Sequence, residues 1–182
     1  GVFNLGGEGQ FIMGAVSAIV FLLVTGIEGV LGTVLAILVG TVVGALWAAL
    51  PGIMKITRGL NEMITSIMLN YVATLFMGFI YTNAFRDGGN PQTPSVADSV
   101  MLAKIPGFRI HAGVILAIVL GLVVAYVISK TSFGFKIRAV GLNPLASKVN
   151  GFNVKFLVMA AFVISGAIAG MGGAVELLGK QY

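Results

Sequence analysis

Cysteine is absent from this chain of 182 residues, and charged side chains are scarce, at 9% of the total. The missing cysteines exclude disulfides, thiolate metal sites and a cysteine nucleophile within the chain. The scarcity of charge excludes an ordinary soluble fold, in which about a quarter of the residues are charged. Hydrophobic residues instead make up 58% of the chain, and its mean hydropathy is +1.04. The composition therefore predicts an all-α, polytopic bundle of transmembrane helices with the lipid bilayer as its solvent.

Catalytic groups are also few. His111 is the only histidine, and beside Arg109 it is expected at a membrane edge rather than in an active site. Neither His-Glu-x-x-His nor Gly-x-Ser-x-Gly occurs, and Gly6-Gly7-Glu8-Gly9 lacks the Gly-Lys-Ser/Thr that completes a phosphate loop. We therefore expect no catalytic residue, no metal site, no cofactor and no ATP hydrolysis by this chain itself. The net charge of +5 is attributed to membrane orientation and not to nucleic acid, because the basic residues fall in loops.

Five segments are apolar over the length of about 20 residues that a helix needs to cross a bilayer. They are Phe11–Ile27, Gly29–Leu50, Met63–Thr82, Ala112–Ser129 and Phe156–Val175. The second is expected to end at Pro51-Gly52, because proline interrupts a helix. Because residue 1 is not methionine and the chain ends abruptly, we interpret residues 1–182 as one transmembrane domain that is a fragment of a longer protein.

The loops between these segments alternate across the membrane. Loops 51–62 and 130–155 share one side, and the basic residues there are Lys55, Arg58, Lys130, Lys136, Arg138, Lys148 and Lys155. The opposite side has Arg86, Lys104, Arg109 and Lys180. Since cytoplasmic loops carry the excess of positive charge, loops 51–62 and 130–155 are predicted to be cytoplasmic and loop 83–111 extracytoplasmic.

Small residues recur every four positions in the second segment, at Gly32, Ala36, Gly40, Gly44 and Ala48. The fifth segment has Gly166 and Gly170. Such spacing places the small residues on one face, where it allows two helix backbones to approach closely in a bilayer. The pattern predicts tight helix packing, and a role in gating by sliding helices is the alternative.

Two polar patterns interrupt the apolar background. Glu62, Ser66, Asn70 and Thr74 form a stripe from the start of the third helix to the bilayer middle. Polar groups at that depth face protein or water, so the stripe either bonds neighbouring helices or lines a substrate path. The second pattern comprises Asn4, Glu8 and Gln10, among glycines before the first apolar run. It is either the cap of that helix or irregular, re-entrant backbone lining a cavity.

The most specific stretch of the sequence is 131–154. Its pattern predicts a short basic amphipathic helix, a turn at Gly141–Pro144 and a second short helix from Leu145. An exposed helix of this kind, with Phe135, Ile137, Val140 and Leu142 around it, is suited to dock in a groove of a soluble partner.

At this stretch the sequence resembles the permease subunits of ABC importers for branched-chain amino acids, ribose and nucleosides. Their coupling loop has the form Thr-x-x-Gly-x-x-x-Arg-Ala-x-Gly-x-Asn-x-x-Ala-x-x-x-Gly-Ile-x-Val. The matching residues here are Thr131, Gly134, Arg138, Ala139, Gly141, Asn143, Ala146, Gly151 and Val154. Ser147 and Phe152 depart mildly from the pattern. The resemblance implies that 130–153 is a cytoplasmic coupling loop that contacts an ATPase.

Two further stretches resemble the nucleoside branch of these permeases. They are Phe3–Gln10, with its Glu-Gly-Gln ending, and Gly59–Tyr71, with its Asn-Glu and Met-Leu-Asn-Tyr motifs. A nucleoside is therefore favoured over a sugar or a branched-chain amino acid. A secondary transporter or channel is disfavoured, because charged pairs are missing from the helix centres.

The resemblance implies an importer in a prokaryotic cell membrane. The expected partners are two ABC ATPase subunits, a second permease subunit (identical or homologous) and an extracytoplasmic substrate-binding protein. The candidate substrate path comprises Asn4, Glu8, Gln10, Asn61, Glu62, Ser66 and Asn70. Movement of the ATPases would change the accessible side of this path by alternating access, without covalent chemistry.

Overall fold

The computed structural model describes residues 3–84, 94, 96–102 and 111–179, and every regular element among them is helical. The long helices are α1 (Gly7–Thr25), α2 (Gly29–Arg58), α3 (Glu62–Phe79), α4 (Gly113–Lys130) and α7 (Val154–Gly179). The short helices α5 (Ser132–Leu142) and α6 (Pro144–Val149) lie between α4 and α7, a π-helical turn (Ile80–Ala84) extends α3, and a 3-10 turn covers Asp98–Val100. Five helices are long and apolar enough to cross a membrane. The predicted all-α bundle with five spanning segments is confirmed.

Glycines bring α1, α2 and α7 into backbone contact. A Cβ added to Gly44 would lie 2.5 Å from the carbonyl oxygen of Gly166 and 2.6 Å from Cα of Gly170. A Cβ on Gly14 would lie 2.5 Å from Cα of Gly170. The predicted small-residue ridge of α2 is buried along its whole length, which confirms that it packs against another helix. Close backbone approach of this kind drives helix association in lipid, where the hydrophobic effect does not.

Residues 96–102 cover the opposite end of these helices from α5 and α6. Val100 is 1% exposed and shares a cluster with Ala36 of α2 and Leu178 of α7. Its carbonyl accepts a 2.8 Å bond from the Thr33 hydroxyl, and the Leu102 N–H donates a 2.9 Å bond to the Leu178 carbonyl.

The basic residues expected on this side, Arg86, Lys104, Arg109 and Lys180, lie outside the described residues, so the charge comparison between the two sides stays a prediction.

The prediction that the second helix ends at Pro51 was wrong. α2 continues two further turns to Arg58 and ends at Gly59, whose φ of 65° is left-handed. Pro51 removes one backbone hydrogen bond, but Pro51 and Gly52 are buried. A Cβ on Gly52 would lie 3.3 Å from the Phe162 ring of α7. Tertiary packing at this point holds the helix together across the proline. Residues 51–58 are therefore helix, and the connection to α3 is only 59–61.

Candidate functional site

The N-terminal end of α1 lies level with the interior of α3 and α7. Both of these helices begin beside the end of α2, since Lys55 pairs with Glu62 and Gly52 contacts Met159. At 1.5 Å per residue, Asn70 is about 12 Å along α3 and Ser165 about 16 Å along α7. Both side chains bond residues at or just before the start of α1, so α1 begins about two to three helical turns inside the bundle, measured from the first residues of α3 and α7. Phe3–Gly6 is non-helical there, and the prediction that this irregular backbone lines a cavity stays a prediction.

Asn70 fastens the start of α1 to α3. Its Oδ1 accepts a 2.9 Å bond from the Gly9 N–H, and its Nδ2 donates a 3.0 Å bond to the Leu5 carbonyl. The Gly9 N–H is one of the first-turn donors that have no partner within their own helix. A Cβ on Gly9 would lie 2.8 Å from Asn70 Oδ1 and 3.0 Å from Asn70 Cα. Glycine at position 9 is therefore required by the distance between the two helices.

A second set of bonds links the same region to α7. Asn4 Nδ2 donates to Gln10 Oε1 and to Ser165 Oγ, each at 2.9 Å. Asn4 Oδ1 accepts from Gln10 Nε2 at 2.9 Å and from the Gly6 N–H at 3.0 Å. Gln10 is 1% exposed, so its amide depends on these partners. We call Asn4, Gly9, Gln10, Asn70 and Ser165 the polar junction.

Ser66 lies beside the polar junction with an unused hydroxyl. The residue is 0% exposed, and its Oγ has no hydrogen-bond partner among the described residues. It packs against Gly6, where an added Cβ would lie 3.5 Å from Ser66 Cβ. A buried hydroxyl without a partner is unfavourable, so this atom is a ready donor and acceptor for a water or a polar solute.

The remaining candidate path residues lie at the margins of the polar junction. Glu8 is exposed in the first turn of α1, where the helix dipole favours a carboxylate. Asn61 is exposed and caps α3, because its Oδ1 accepts a 2.9 Å bond from the Met63 N–H. Glu62 pairs with Lys55 across the α2–α3 turn. The structure thus gathers Asn4, Gln10, Ser66 and Asn70 at one place, and Asn61 and Glu62 lie about one helical turn before Ser66, at the start of α3.

The segment 131–154 has the two short helices that its sequence predicts, and side chains fix their ends. Thr131 Oγ1 accepts a 3.1 Å bond from the Gly134 N–H at the start of α5. Asn143 Oδ1 accepts a 3.0 Å bond from the Ala146 N–H at the start of α6. A Cβ on Gly134 would collide with the backbone carbonyls of Val127 and Ile128 in α4, and Gly151 has a φ of 81°. These four matching residues therefore shape the loop.

The α5–α6 unit has one face on the protein and one in solvent. Val140 is buried in a cluster with Leu157, Val158 and Phe162 of α7, and Ile137 packs against it. The expectation that Ile137 and Val140 meet a partner was therefore wrong. The outward apolar side chains are Phe135 (57% exposed), Leu142 (88%), Leu145 (75%) and Val149 (84%). Arg138 and Lys148 are exposed with them. This surface has the mixture of apolar and basic groups that suits docking to a protein.

Sequence reasoning missed two features of this site. Ser165 occurs in the apolar run of α7, and only its distance to Asn4 reveals its role. Leu145 and Val149 belong to the outward surface of α6, but a helix of six residues is too short for its apolar pattern to show which side faces out.

Five helices long and apolar enough to cross a membrane, together with the polar junction and the α5–α6 unit, define a polytopic helical membrane protein. The family model described as "Branched-chain amino acid transport system / permease component" matches residues 1–182. The chain belongs to this family.

Among curated proteins, the chain is 34% identical over 186 residues to the guanosine ABC transporter permease protein NupP of Bacillus subtilis, covering 98% of this chain and 53% of that protein. It is 34% identical over 187 residues to the nucleoside ABC transporter permease protein NupB of Lactococcus lactis subsp. cremoris, covering 96% and 51%. It is 29% identical over 194 residues to the glucose ABC transporter permease protein TsgB13 of Haloferax volcanii, covering 100% and 51%. The chain thus spans about half the length of these relatives. No solved structure matches it significantly.

Proposed function

We propose that this chain is part of the permease subunit of an ATP-dependent importer that carries nucleosides across a prokaryotic cell membrane. Its partners are two ABC ATPase subunits, a second permease subunit and an extracytoplasmic binding protein. The observation that carries the proposal is the α5–α6 unit, whose two helices are capped by side chains and whose Leu142, Leu145 and Val149 face outward. Apolar side chains exposed to this extent need a partner surface, and an ATPase groove supplies one.

The chemistry of the polar junction supports an uncharged polar solute. Its side chains are two asparagines, a glutamine and a serine, with the unpartnered Ser66 hydroxyl beside them. Amides and hydroxyls both donate and accept hydrogen bonds, as the base edge and ribose of a nucleoside do. In the closed arrangement these groups bond one another, and a solute of matching chemistry replaces those bonds when the helices separate. The nucleoside permeases at 34% identity agree with this choice.

The path that we propose comprises Asn4, Glu8, Gln10, Asn61, Glu62, Ser66 and Asn70. A solute that leaves the polar junction toward the side of α5 and α6 passes Asn61 and the Glu62–Lys55 pair. The contact surface for the ATPase uses Arg138 and the outward residues of α6. The segment 83–111 belongs to the extracytoplasmic side, and 130–153 to the cytoplasmic side.

Competition for uptake tests the substrate. Cells expressing the complete permease with its neighbouring genes should take up labelled guanosine, and excess uridine should reduce the uptake more than excess ribose, glucose or leucine does. Uptake should stop when cellular ATP is depleted. Preferential inhibition by leucine or a sugar would overturn the nucleoside assignment and leave the importer intact.

A substitution on α6 tests the docking surface. Leu145→Glu places a charge on a side chain that is 75% exposed, so the protein should fold normally while co-purification with the ATPase falls by about tenfold or more, as for a central interface residue. Leu60→Glu, at 45% exposure in the α2–α3 turn, is the matched control and should retain the ATPase. Equal retention by both variants would contradict the assignment of this surface.

A further inference from the structure

Phe162 joins the α5–α6 unit to the proline turn of α2. The residue is 1% exposed and belongs to the same buried cluster as Val140 of α5, together with Leu157 and Val158. Its ring is also the surface against which Gly52 of α2 packs, since a Cβ on Gly52 would lie 3.3 Å from two ring carbons. One side chain therefore packs both in the cluster that holds the α5–α6 unit and against Gly52 of α2.

The point of α2 that Phe162 contacts is its weakest. Pro51 has no N–H, so the bond that residue 51 would donate to the Trp47 carbonyl is missing. Helices bend most readily where such a bond is lost. Beyond the proline, the last two turns of α2 carry Ile56, which packs on the Val140 cluster, and Lys55, which pairs with Glu62 at the start of α3.

The terminal part of α2 is thus connected to the helix that holds the polar junction. α3 carries Ser66 and Asn70, and Asn70 is bonded to the Gly9 N–H and the Leu5 carbonyl. The rest of α2 is held differently, because Gly40 and Gly44 lie in backbone contact with Gly170. If Phe162 is displaced, the part of α2 after Pro51 can therefore move with it. The part of α2 before Pro51 is held in place by its backbone contacts with α7.

We infer that Phe162 is a positioning residue that passes movement of the α5–α6 unit to the segment Pro51–Arg58, which bends at Pro51 and carries α3 with it. The inference rests on the proposed function, because it requires an ATPase that moves α5. The two-state element is the α2 helix, straight or bent at residue 51. Phe162 does not touch solute and acts through α2 and α3.

The test uses the complete transporter, with its ATPases and binding protein, in proteoliposomes. The readout is the number of ATP molecules hydrolysed per nucleoside imported, which a residue with only a packing role does not change in folded protein. Phe162→Ala should raise this ratio by about threefold or more, the size of effect expected along a coupled network. Phe162→Leu should restore most of the coupling. Phe156→Ala, on the same helix but 61% exposed, should leave the ratio unchanged.

A second variant decides the question if Phe162→Ala does not fold. Pro51→Ala restores the missing backbone donor and stiffens α2, so the protein should fold while the ratio again rises by about threefold. A wild-type ratio in Pro51→Ala would overturn the inference, and so would an equal rise in Phe156→Ala. Absence of ATP-driven uptake in the wild-type transporter would instead contradict the proposed function itself.

Discussion

α2 and α4 are both long and apolar enough to cross a membrane, but they differ in their surroundings. α2 buries a row of small residues from Gly32 to Gly52 against its neighbours, whereas Gly113 is the only buried residue of α4. Leu122 of α4 is 67% exposed. The difference teaches that hydropathy determines which segments enter the membrane, and that the spacing of small side chains determines which of them pair. α3 is intermediate, because polar bonds rather than glycines attach it.

Substitution of one glycine in the packed helices and one in α4 should give the largest difference in the yield of folded protein. Gly170→Leu in α7 drives a side chain into the backbone of α2, where a Cβ would lie 2.7 Å from Gly44 Cα, so we expect loss of the folded protein. Gly121→Leu in α4 has no atom within 4 Å of its Cβ and should be tolerated. Size-exclusion profiles of fluorescent fusions in detergent would measure both. Equal tolerance of the two variants would contradict the packing described here.

Truncation of one buried leucine and one exposed leucine should give an intermediate difference in stability. Leu178→Ala removes a side chain that is 1% exposed in the cluster with Ala18 and Ala174. We expect a loss of about 2 kcal/mol, at the low end for leucine truncation, because lipid and not water is the competing solvent. Leu122→Ala should change stability by less than about 0.5 kcal/mol. Thermal unfolding midpoints in the same detergent compare the two, and a larger loss at Leu122 would show that α4 is covered.

Substitution of one asparagine that bonds another helix and one that bonds only nearby residues should give the smallest difference in stability. Asn70→Ala removes both side-chain bonds from α3 to the region where α1 starts, at a cost of about 1 kcal/mol, as for hydrogen bonds between transmembrane helices. Among the described residues, Asn83→Ala removes bonds to Phe79 and Thr82, which lie within four positions of it in the chain, and it should be neutral. The same variants separate function from stability, because only Asn70→Ala should raise the KM for uptake. An unchanged KM would remove Asn70 from the proposed path.

The sequence predicts the helical elements well, because each depends on local patterns. All five apolar segments appear as helices, and the stop between α5 and α6 is where Asn143-Pro144 places it. The exception is Pro51, where local propensity favours a helix end but burial against Phe162 prevails. α1 begins at Gly7, four residues before the apolar run, because Asn70 of another helix satisfies the Gly9 N–H.

The candidate site is less predictable, because it depends on contacts between distant residues. The stripe on α3 identified Ser66 and Asn70 as inward-facing but gave no partner for either. Asn4 and Ser165 are 161 positions apart. A single serine in an apolar helix forms no sequence pattern from which such a bond could be predicted. The outward and inward residues of α5 likewise differ only through their contact with α7, as Val140 and Leu142 show.

The side of the membrane on which α5 and α6 lie is the most direct test of the central claim that they meet an ATPase. Val149 is 84% exposed and suits labelling, whereas Ser147, at 4%, does not. In a protein whose only cysteine is Val149→Cys, a membrane-impermeant maleimide should react after the cells are permeabilised and not in intact cells. A cysteine at Glu28, which is exposed at the opposite end of α2, should react in intact cells. Labelling of position 149 in intact cells would contradict the claim.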